Sequence, residues 1–368
     1  MVVRCVTSLR EFDALAPAWH AMGQAGGEDS PFLSHDWFAC CWRTAGPDRR
    51  REVWVLEDAA GPVAFLPLMR VRTRAWGLPV RLLSFLESPD TPFVDIPTAR
   101  GPEEVVPEFL RALRQGGGWD VLSFRKLPPE SATLKALRAA LPGRFPWREG
   151  RREASPCVEI SGTWEDYLRQ RSQRFRKTCR NIENRLEKSG TVSVEEHREV
   201  DPDGPIFAEV MDVSMQSWKG SRGLAMVNMP GASRFFREFT RRASVNGWLR
   251  LWILRVDGRA VATEYQVKSN GSLYALRADF DAGAEALSPG ASLNLRIIRS
   301  LFERQDIHEY NMGPGANPYK LRWATSSRET HSIHVYAPTH YGRMLYGLET
   351  RLLPALRRLR EKVRPSCA

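Results

Sequence analysis

The sequence lacks the features that mark several large classes of protein. No stretch approaches the roughly 18 consecutive apolar residues that a membrane-spanning helix needs. The first residues, Met1 to Glu11, have no apolar core of the length found in signal peptides. The six cysteines form no Cys-x-x-Cys pair and no zinc-type spacing. We therefore expect a cytoplasmic protein with reduced thiols and no metal.

The motifs of several common enzyme classes are missing as well. There is no Gly-x-Ser-x-Gly elbow, Walker loop or Rossmann fingerprint, which excludes the main hydrolase, NTPase and dehydrogenase interpretations. His331 and His334 are three positions apart in a predicted strand, so their side chains face opposite ways and make a poor metal pair. No helix-turn-helix, zinc-finger or RRM signature indicates a nucleic-acid-binding module.

What the chain has in excess is basic charge. Lys and Arg number 54 against 43 Asp and Glu, and the net charge of +11 favours anionic partners. A predicted helix from Trp164 to Lys188 has one apolar stripe, which predicts a buried face, and arginines over much of the remaining surface. Two interpretations stay open: a solvated charged face, or an electropositive wall beside a cleft for an anionic substrate such as coenzyme A.

Length and pattern indicate two domains. A chain of 368 residues with 42% hydrophobic content supports two cores of ordinary size. A polar, proline-bearing segment at 144–156 separates a predicted helix at Ala132 to Leu141 from a predicted strand at Cys157 to Ile160. The N-terminal half is predicted to hold a helix at Leu9 to Met22, strands at Glu52 to Glu57 and Pro62 to Arg70, and a helix at Glu103 to Gln115.

The C-terminal half is predicted to contain three consecutive antiparallel strands. They run from Trp248 to Val256, Arg259 to Lys268 and Ser272 to Phe280. The pairs Asp257-Gly258 and Asn270-Gly271 supply two-residue hairpin turns between them. These strands are expected to form one sheet.

A small-residue loop then precedes a helix. The tripeptide from Ser288 to Gly290 stands before a stretch in which Leu293, Ile297 and Leu301 recur at helical spacing. Because small side chains let a ligand approach the backbone, the free N–H groups of the first helical turn could hold a pyrophosphate. An ordinary capped helix is the alternative interpretation.

A second loop follows the next predicted strand, Ile307 to Met312. Its Gly-Pro-Gly sequence leads into Tyr319 and Lys320, and a last strand is predicted at Ser332 to Tyr336. Loops that follow strands are places where side chains meet bound ligands. We therefore expect Tyr319 and Lys320 to lie in a cleft.

Taken in order, these segments resemble the GNAT superfamily, and within it the FemAB-like group that includes the CelD-type acetyltransferases of bacterial polysaccharide clusters. The resemblance rests on Asp257–Ala262, Leu287–Gly290 and Tyr319–Ala324, with further similarity at Ser172–Lys177 and Gln216–Gly220. It implies an α+β fold with two GNAT-like halves, each a mixed, mainly antiparallel sheet with flanking helices. It also implies transfer of an acyl group from acyl-CoA to an amine or hydroxyl acceptor, such as a sugar or cell-envelope precursor.

The resemblance divides the chain into three parts. Residues 1–150 would form a degenerate N-terminal GNAT-like domain, 151–340 the domain with the acyl-CoA site, and 341–368 a basic amphipathic helix. That helix either docks across the two domains or lies on a membrane surface, which would place the protein at the inner face of the membrane.

The candidate site residues follow from the resemblance and the strand pattern together. The pyrophosphate is expected at Ser288, Pro289, Gly290, Ala291 and Ser292. The catalytic candidates are Glu264, Asp281 and Tyr319: Glu264 as a base whose pKa apolar neighbours would raise, and Tyr319 as a proton donor to the departing thiolate. Asp279 and Asp281 are the alternative bases. The acceptor is expected near Trp218, Lys219, Lys320 and Arg322.

Two other functions stay open at this stage. Fem-type enzymes transfer amino acids from aminoacyl-tRNA, so a charged tRNA is a second possible donor. A non-catalytic scaffold of a polysaccharide or membrane assembly is the interpretation from a different class.

Overall fold

The computed structural model describes residues 1–25, 30–229 and 231–353, and all statements of structure refer to these residues. In them, thirteen strands form one sheet. The strands of the N-terminal half are β1 (Val2–Val6), β2 (Arg50–Asp58), β3 (Gly61–Ala75), β4 (Leu78–Phe85), β5 (Val121–Leu127) and β6 (Trp147–Glu149). Those that follow are β7 (Glu153–Glu159), β8 (Val192–His197), β9 (Leu249–Val256), β10 (Arg259–Ser269), β11 (Ser272–Phe280), β12 (Glu309–Asn311) and β13 (Ser326–Tyr336).

Helices flank this sheet on both faces. The first five are α1 (Leu9–Asp13), α2 (Ala16–Ala25), α3 (His35–Thr44), α4 (Pro102–Gly116) and α5 (Ala132–Ala140). The next five are α6 (Trp164–Arg169), α7 (Gln173–Glu187), α8 (Pro205–Gln216), α9 (Trp218–Ser221) and α10 (Ala232–Val245). The last three are α11 (Pro289–Arg304), α12 (Pro318–Trp323) and α13 (His340–Gly347), and short turns of helix lie at Pro31–Leu33, Ala282–Leu287 and Leu348–Leu352.

The sheet consists of two halves that share a strand. The order is β1-β2-β3-β4-β5-β13-β7-β12-β11-β10-β9-β8, and β6 pairs with β13. The last residues of β13, His331 to Tyr336, pair with β5, whereas Ser326 to Thr330 pair with β7. Each half contains one parallel pair joined by a crossover helix, β4-α4-β5 and β11-α11-β12, among otherwise antiparallel strands. The predicted fold class, two mainly antiparallel mixed sheets with flanking helices, is confirmed.

The core is continuous between the two halves. One large apolar cluster joins the N-terminal half to α8, α10 and one face of β9 and β10, and includes Trp37, Phe235 and Tyr265. A second cluster lies on the opposite face of the C-terminal sheet, against α6, α7 and α11. The C-terminal sheet is therefore covered on both faces. The proposed boundary near residue 150 falls between β6 and β7, and remains a prediction.

Two of the predicted helices are each divided into two helices in the structure. The helix predicted from Trp164 to Lys188 is two helices, because Ser172 begins a second one by accepting the N–H of Phe175 at 3.2 Å. The helix predicted from Leu9 to Met22 is likewise divided, into α1 and α2.

The strand β4 was missed altogether, and β13 begins at Ser326, six residues before the predicted start. β4 escaped prediction because Pro79 and Arg81 interrupt its apolar pattern. Residues beyond Leu353, which include most of the predicted C-terminal basic helix, lie outside the described residues. Among the described residues, no helix combines the length and the apolar character needed to cross a bilayer.

Candidate active site

The central feature of the site is a divergence between two neighbouring parallel strands. β11 and β12 pair only where Ser272–Tyr274 of β11 lies beside Glu309–Asn311 of β12. β11 continues to Phe280, whereas the chain after β12 turns away at Gly313, whose φ is +77°. A Cβ atom at Gly313 would lie 2.9 Å from the carbonyl oxygen of Ala275, so only glycine fits this turn. The strands therefore open a wedge toward the end of β11.

Helix α11 begins at the open end of this wedge. Ser288 occupies the N-cap position with a left-handed φ of +54°, and its side chain makes no capping hydrogen bond. Pro289 and Gly290 form the first turn, and a Cβ on Gly290 would lie 3.1 Å from the Phe280 ring. The helix start is thus packed tightly on β11. Because the cap is not made by Ser288, first-turn N–H groups are left for a ligand.

A basic side chain that the sequence did not single out lies beside this helix start. Arg185, near the end of α7, donates to the carbonyl of Ala286 at 2.9 Å and approaches the hydroxyl of Ser288 at 3.5 Å. Its position adds a positive charge to the positive end of the α11 dipole. The sequence placed Arg185 only on the polar side of its helix, because helical periodicity does not show which loop lies opposite.

Tyr319 spans the opening from the other side. Its hydroxyl donates to the carbonyl of Gly290 at 3.1 Å, which joins α12 to the first turn of α11. Tyr319 exposes 39% of its surface, but its ring and hydroxyl lie close to other protein atoms. Desolvation raises its pKa, and the nearby Glu264 carboxyl adds to the rise. The neutral, protonated phenol is therefore the stable form in the absence of a ligand.

Lys320 forms hydrogen bonds with the loop that follows β12. Its ammonium donates to the carbonyls of Gly313 and Pro314 at 3.0 and 2.8 Å. Desolvation lowers its pKa, against a smaller opposing effect of Glu264. Lys320 therefore holds the wall of the wedge in place and also brings a positive charge toward Glu264.

Glu264 lies at the base of the wedge in a buried polar network. It is 4% exposed and pairs in register with Ala278 of β11. Its Oε1 accepts a hydrogen bond from Tyr310 and one from Gln266 Nε2 at 2.7 Å. Burial raises the pKa of Glu264, while the Tyr310 and Gln266 hydrogen bonds partly offset the rise. Glu264 is buried, as its mid-strand position predicted, but its partners are polar, and this network was not foreseen.

Asn294 of α11 completes that network. Its Oδ1 lies 3.0 Å from the Tyr310 hydroxyl, and its Nδ2 is buried with no hydrogen-bond partner in the described residues. The Tyr310 proton is already directed to Glu264. A 180° rotation of the Asn294 amide would let Nδ2 donate to the Tyr310 oxygen and would place the amide oxygen at the position without a partner.

The two aspartates of this region have different surroundings. Asp281 accepts the N–H of Gly283 at 2.8 Å and pairs with Arg259, so both of its contacts hold the turn after β11. Asp279 is 4% exposed and lies 2.6 Å from the ammonium of Lys219. The alternation of β11 places Asp279 on the face opposite Glu264, toward the N-terminal half.

The remaining predicted acceptor residues are divided between two places. Lys219 also donates to the carbonyl of Ala278 at 2.7 Å, and Trp218 beside it is 45% exposed with the Arg222 guanidinium 5.1 Å over its ring. Arg322 is apart from them: it lines a cavity of about 280 Å³ together with Arg174 of α7. The structure brings Lys219 and Lys320 to the wedge but not Arg322.

A separate cavity of about 1190 Å³ lies between the two halves at the paired end of β11 and β12. Its lining includes Asp95 and Glu130 from the N-terminal half and Tyr274, Glu309 and Arg328 from the C-terminal half. It is at the far end of β11 from the start of α11, so it is not the wedge.

Three residues could in principle hold a metal ion. His20, His35 and Asp36 each place one ligand atom within 4.8 Å of the others. However, His35 Nε2 lies 3.1 Å from the carbonyl of Phe12, and Asp36 pairs with Arg242. These groups already have protein partners.

A sheet that opens beside a crossover helix, with that helix starting at the open end, defines the GNAT acyltransferase fold. Residues 173–321 match the family model described as the acetyltransferase (GNAT) domain, so this part of the chain is similar to that domain. The match includes α7, the whole of β9 to β12 and the start of α12.

Solved structures with the same fold cover nearly the whole chain. FemX is 11% identical, with 95% of this chain and 99% of that chain covered and a TM-score of 0.56. The C-terminal domain of a putative lysylphosphatidylglycerol synthetase from Agrobacterium fabrum is 16% identical, with 92% and 96% covered and a TM-score of 0.55. L-PGS from Bacillus licheniformis is 14% identical, with 95% and 97% covered and a TM-score of 0.54. No curated protein sequence matches the chain. At these identities the likeness shows the fold alone.

Proposed function

We propose that this protein transfers an acyl group from acyl-CoA to an amine or hydroxyl acceptor. The observation that carries the proposal is the wedge between β11 and β12 that ends at the uncapped first turn of α11. A wedge of this kind exposes a strand edge to which an extended ligand can hydrogen-bond. The helix start beyond it provides N–H groups and a positive dipole for phosphate.

The donor is proposed to bind along this wedge. The pyrophosphate would lie at Ser288 to Ser292, with Arg185 supplying a charge-assisted contact. The pantetheine arm would follow the free edge of β11, and its thioester would lie near Ala278.

The chemistry requires a base for the acceptor and an acid for the thiolate. In the proposed step the acceptor nitrogen or oxygen loses a proton to Glu264, directly or through a water, and forms a bond to the thioester carbonyl carbon. The carbon–sulfur bond then breaks, and the thiolate takes the proton of Tyr319. Asp279 is the alternative base, because its carboxylate lies on the face of β11 that is directed to the N-terminal half. Asp281 is a weaker alternative, since its contacts hold the turn.

The acceptor is proposed to enter between the two halves, near Trp218, Lys219 and Lys320. The sequence resemblance suggests a sugar or cell-envelope precursor as one acceptor class, and the N-terminal domain is proposed to lack a coenzyme site of its own. The basic C-terminal segment is proposed to dock on the protein or to bring it to the inner face of the membrane.

One observation favours a second donor. Arg174 and Arg322 line a common groove between α7 and α12, and Arg185 continues the basic surface to the start of α11. The phosphate backbone of a nucleic acid, which is longer than the phosphate-bearing part of coenzyme A, would fit such a surface. An aminoacyl-tRNA is therefore the alternative donor.

Ligand-dependent stability distinguishes these donors. Acetyl-CoA, a long-chain acyl-CoA and a charged tRNA would each be added in a thermal shift assay, because a ligand at about 100 times its dissociation constant adds roughly 2.7 kcal/mol of stability. We expect stabilisation by an acyl-CoA. The Gly290→Glu protein should lose it, because the new side chain meets the Phe280 ring and brings negative charge to the pyrophosphate position.

Gly347→Glu is the matched control, since a Cβ at Gly347 meets no atom within 4 Å. Stabilisation by tRNA alone would favour the second donor, and stabilisation by none of the three would favour a non-catalytic role. Unchanged acyl-CoA affinity in a folded Gly290→Glu protein would remove the pyrophosphate site from α11.

A further inference from the structure

Six charged side chains from both halves of the molecule meet on the side of β11 that faces the N-terminal half. They form three ion pairs in which each side chain is between 1% and 18% exposed: Glu87 with Lys126, Asp90 with Arg277, and Asp279 with Lys219. Bringing this many charges out of water is costly, and packed apolar residues would join two halves at least as well. Such clusters are found where charge is needed for function.

The N-terminal part of the cluster is held rigidly. Lys126 has a left-handed backbone with φ of +59°, a conformation that costs energy for a residue other than glycine. Its ammonium donates to the carbonyl of Thr91 at 2.8 Å and pairs with Glu87 at 3.1 Å. The hydroxyl of Thr91 accepts the N–H of Ser88 at 2.9 Å. The loop after β4 is therefore fixed on both sides of Asp90.

The C-terminal part of the cluster contains charged groups that could form further hydrogen bonds. Arg277 lies only within 3.8 Å of Asp90, and its buried Nε has no hydrogen-bond partner in the described residues. Its Nη2 donates to the carbonyl of Leu224 at 3.1 Å. The oxygens of Asp279 contact the Lys219 ammonium but make no directed hydrogen bond. A guanidinium at 90% burial with a free donor is a group prepared for an anion.

We propose that this cluster, Asp90 and Arg277 with Asp279 and Lys219, binds an acceptor that carries both an ammonium and a carboxylate group, namely an amino acid. The inference rests on the acyl transfer proposed above and names the substrate class of that site. Arg277 would bind the carboxylate through its fork of donors, and the two aspartates would receive the amine. Asp279, the alternative base named above, would then take the amine proton, because Glu264 lies on the opposite face of the sheet.

The arrangement of charge supports this assignment. Burial raises the pKa of Asp90, and the Asp279 carboxyl adds to the rise, whereas Arg277, Lys219 and Lys126 lower it. Both carboxyls therefore act on one another as well as on these cations. Lys219 donates to the carbonyl of Ala278, next to the place proposed for the thioester. An amine bound between Asp90 and Asp279 would therefore be near the acyl carbon, and its carboxylate would be turned toward the N-terminal half.

The test compares amino acids with the amines that remain when the carboxylate is removed. The twenty L-amino acids would be supplied singly with acetyl-CoA, and release of the free thiol measured. The best acceptor is then compared with its decarboxylated amine, for example L-lysine with cadaverine or L-alanine with ethylamine. We expect kcat/KM to favour the amino acid by about 10- to 100-fold, the factor that one charged hydrogen bond supplies.

Two variants assign that preference to the cluster. Arg277→Gln should bring the ratio between amino acid and amine close to unity, and Asp90→Asn should raise KM for both with less effect on kcat. Asp36→Asn is the matched control, because Asp36 pairs with Arg242 across the same two halves but away from β11. It should leave the ratio unchanged. A purely structural cluster would change melting temperature in the variants without changing the ratio.

A direct measurement of amino acid binding distinguishes a failure of this inference from a failure of the proposed function. Each amino acid would also be titrated into the protein with and without coenzyme A, and the melting temperature followed. Coenzyme A binding with equal use of amines that lack a carboxylate would overturn the inference and leave acyl transfer standing. Stabilisation by an amino acid without any coenzyme A binding would support the inference and oppose the donor. Failure of all twenty to bind or react would overturn it.

Discussion

The Tyr319 hydroxyl donates a hydrogen bond to the carbonyl of Gly290 at 3.1 Å, and this contact closes the gap between α12 and the first turn of α11. The bond joins a proposed proton donor to the proposed pyrophosphate site. A coenzyme in the wedge would have to pass this bridge, and so Tyr319 is expected to change partners when the donor binds. Its position thereby couples donor binding to the protonation of the leaving thiolate.

Replacing Tyr319 with Phe should reduce turnover much more than coenzyme binding. The phenol is proposed to protonate the thiolate, and loss of a general acid costs about 10²- to 10⁴-fold in rate. The measurement is thiol release with acetyl-CoA, together with coenzyme affinity. Tyr341→Phe serves as a control, because that hydroxyl bonds to the carbonyl of Pro79 in the other half. Similar losses in kcat and in coenzyme affinity would make Tyr319 a binding residue.

Replacing Glu264 with Gln should lower kcat by about 10²- to 10⁴-fold and remove one ionisation from its pH profile. The wild-type rate should rise with pH as the carboxyl loses its proton, and the raised pKa of Glu264 moves that rise above the usual range of a glutamate. Near-normal turnover with the same pH profile in Glu264→Gln would transfer the role of base to Asp279 or Asp281.

The same carboxyl predicts how stability depends on pH. Because its pKa is higher in the folded state than in the unfolded state, the folded protein binds the extra proton, and its stabilising contribution is complete below the unfolded pKa. The contribution is lost as pH rises through the folded pKa. Urea unfolding of Glu264→Gln should therefore show less loss of stability with rising pH than wild type, whatever the outcome for catalysis.

The sequence predicted local features of this site better than its long-range contacts. The hairpin turns, the small-residue start of α11 and the burial of Glu264 follow from residue type and spacing. The Tyr310 and Asn294 partners of Glu264 could not be predicted, because they come from β12 and α11 and meet only through sheet order. The last part of β13 was predicted, but its first residues, Ser326 to Thr330, were not, because all five are polar and look like a loop.

Replacing Lys320 with Ala should damage transfer more than coenzyme binding, and it should also loosen the loop after β12. Lys320 donates hydrogen bonds to the carbonyls of Gly313 and Pro314, so in the Lys320→Ala protein these carbonyls would accept hydrogen bonds only from water. Loss of charged hydrogen bonds at a partly buried site costs about 1 to 3 kcal/mol. Urea unfolding and thiol release measure the two effects, and Lys320→Arg should recover part of the stability. Equal loss of transfer and coenzyme affinity would move Lys320 to the donor side.

Replacing Gly313 with Ala should narrow the wedge and weaken coenzyme binding. The φ of +77° is unfavourable for alanine by about 1 to 2 kcal/mol, and the new Cβ would lie 2.9 Å from the carbonyl oxygen of Ala275. The turn must then shift, and with it the loop that Lys320 holds. The melting temperature should fall, and coenzyme affinity should fall in addition, because the free edge of β11 is where the pantetheine arm is proposed to bind.

Gly315→Ala separates the backbone cost from the effect on the wedge. Gly315 has a φ of +94°, but a Cβ there meets no atom within 4 Å. This variant should therefore lose stability only through the positive φ of its backbone. We expect both variants to melt at lower temperature and only Gly313→Ala to lose coenzyme affinity. If the two lose affinity equally, the flexibility of the loop controls binding, and if neither does, the coenzyme does not occupy the edge of β11 beside Ala275.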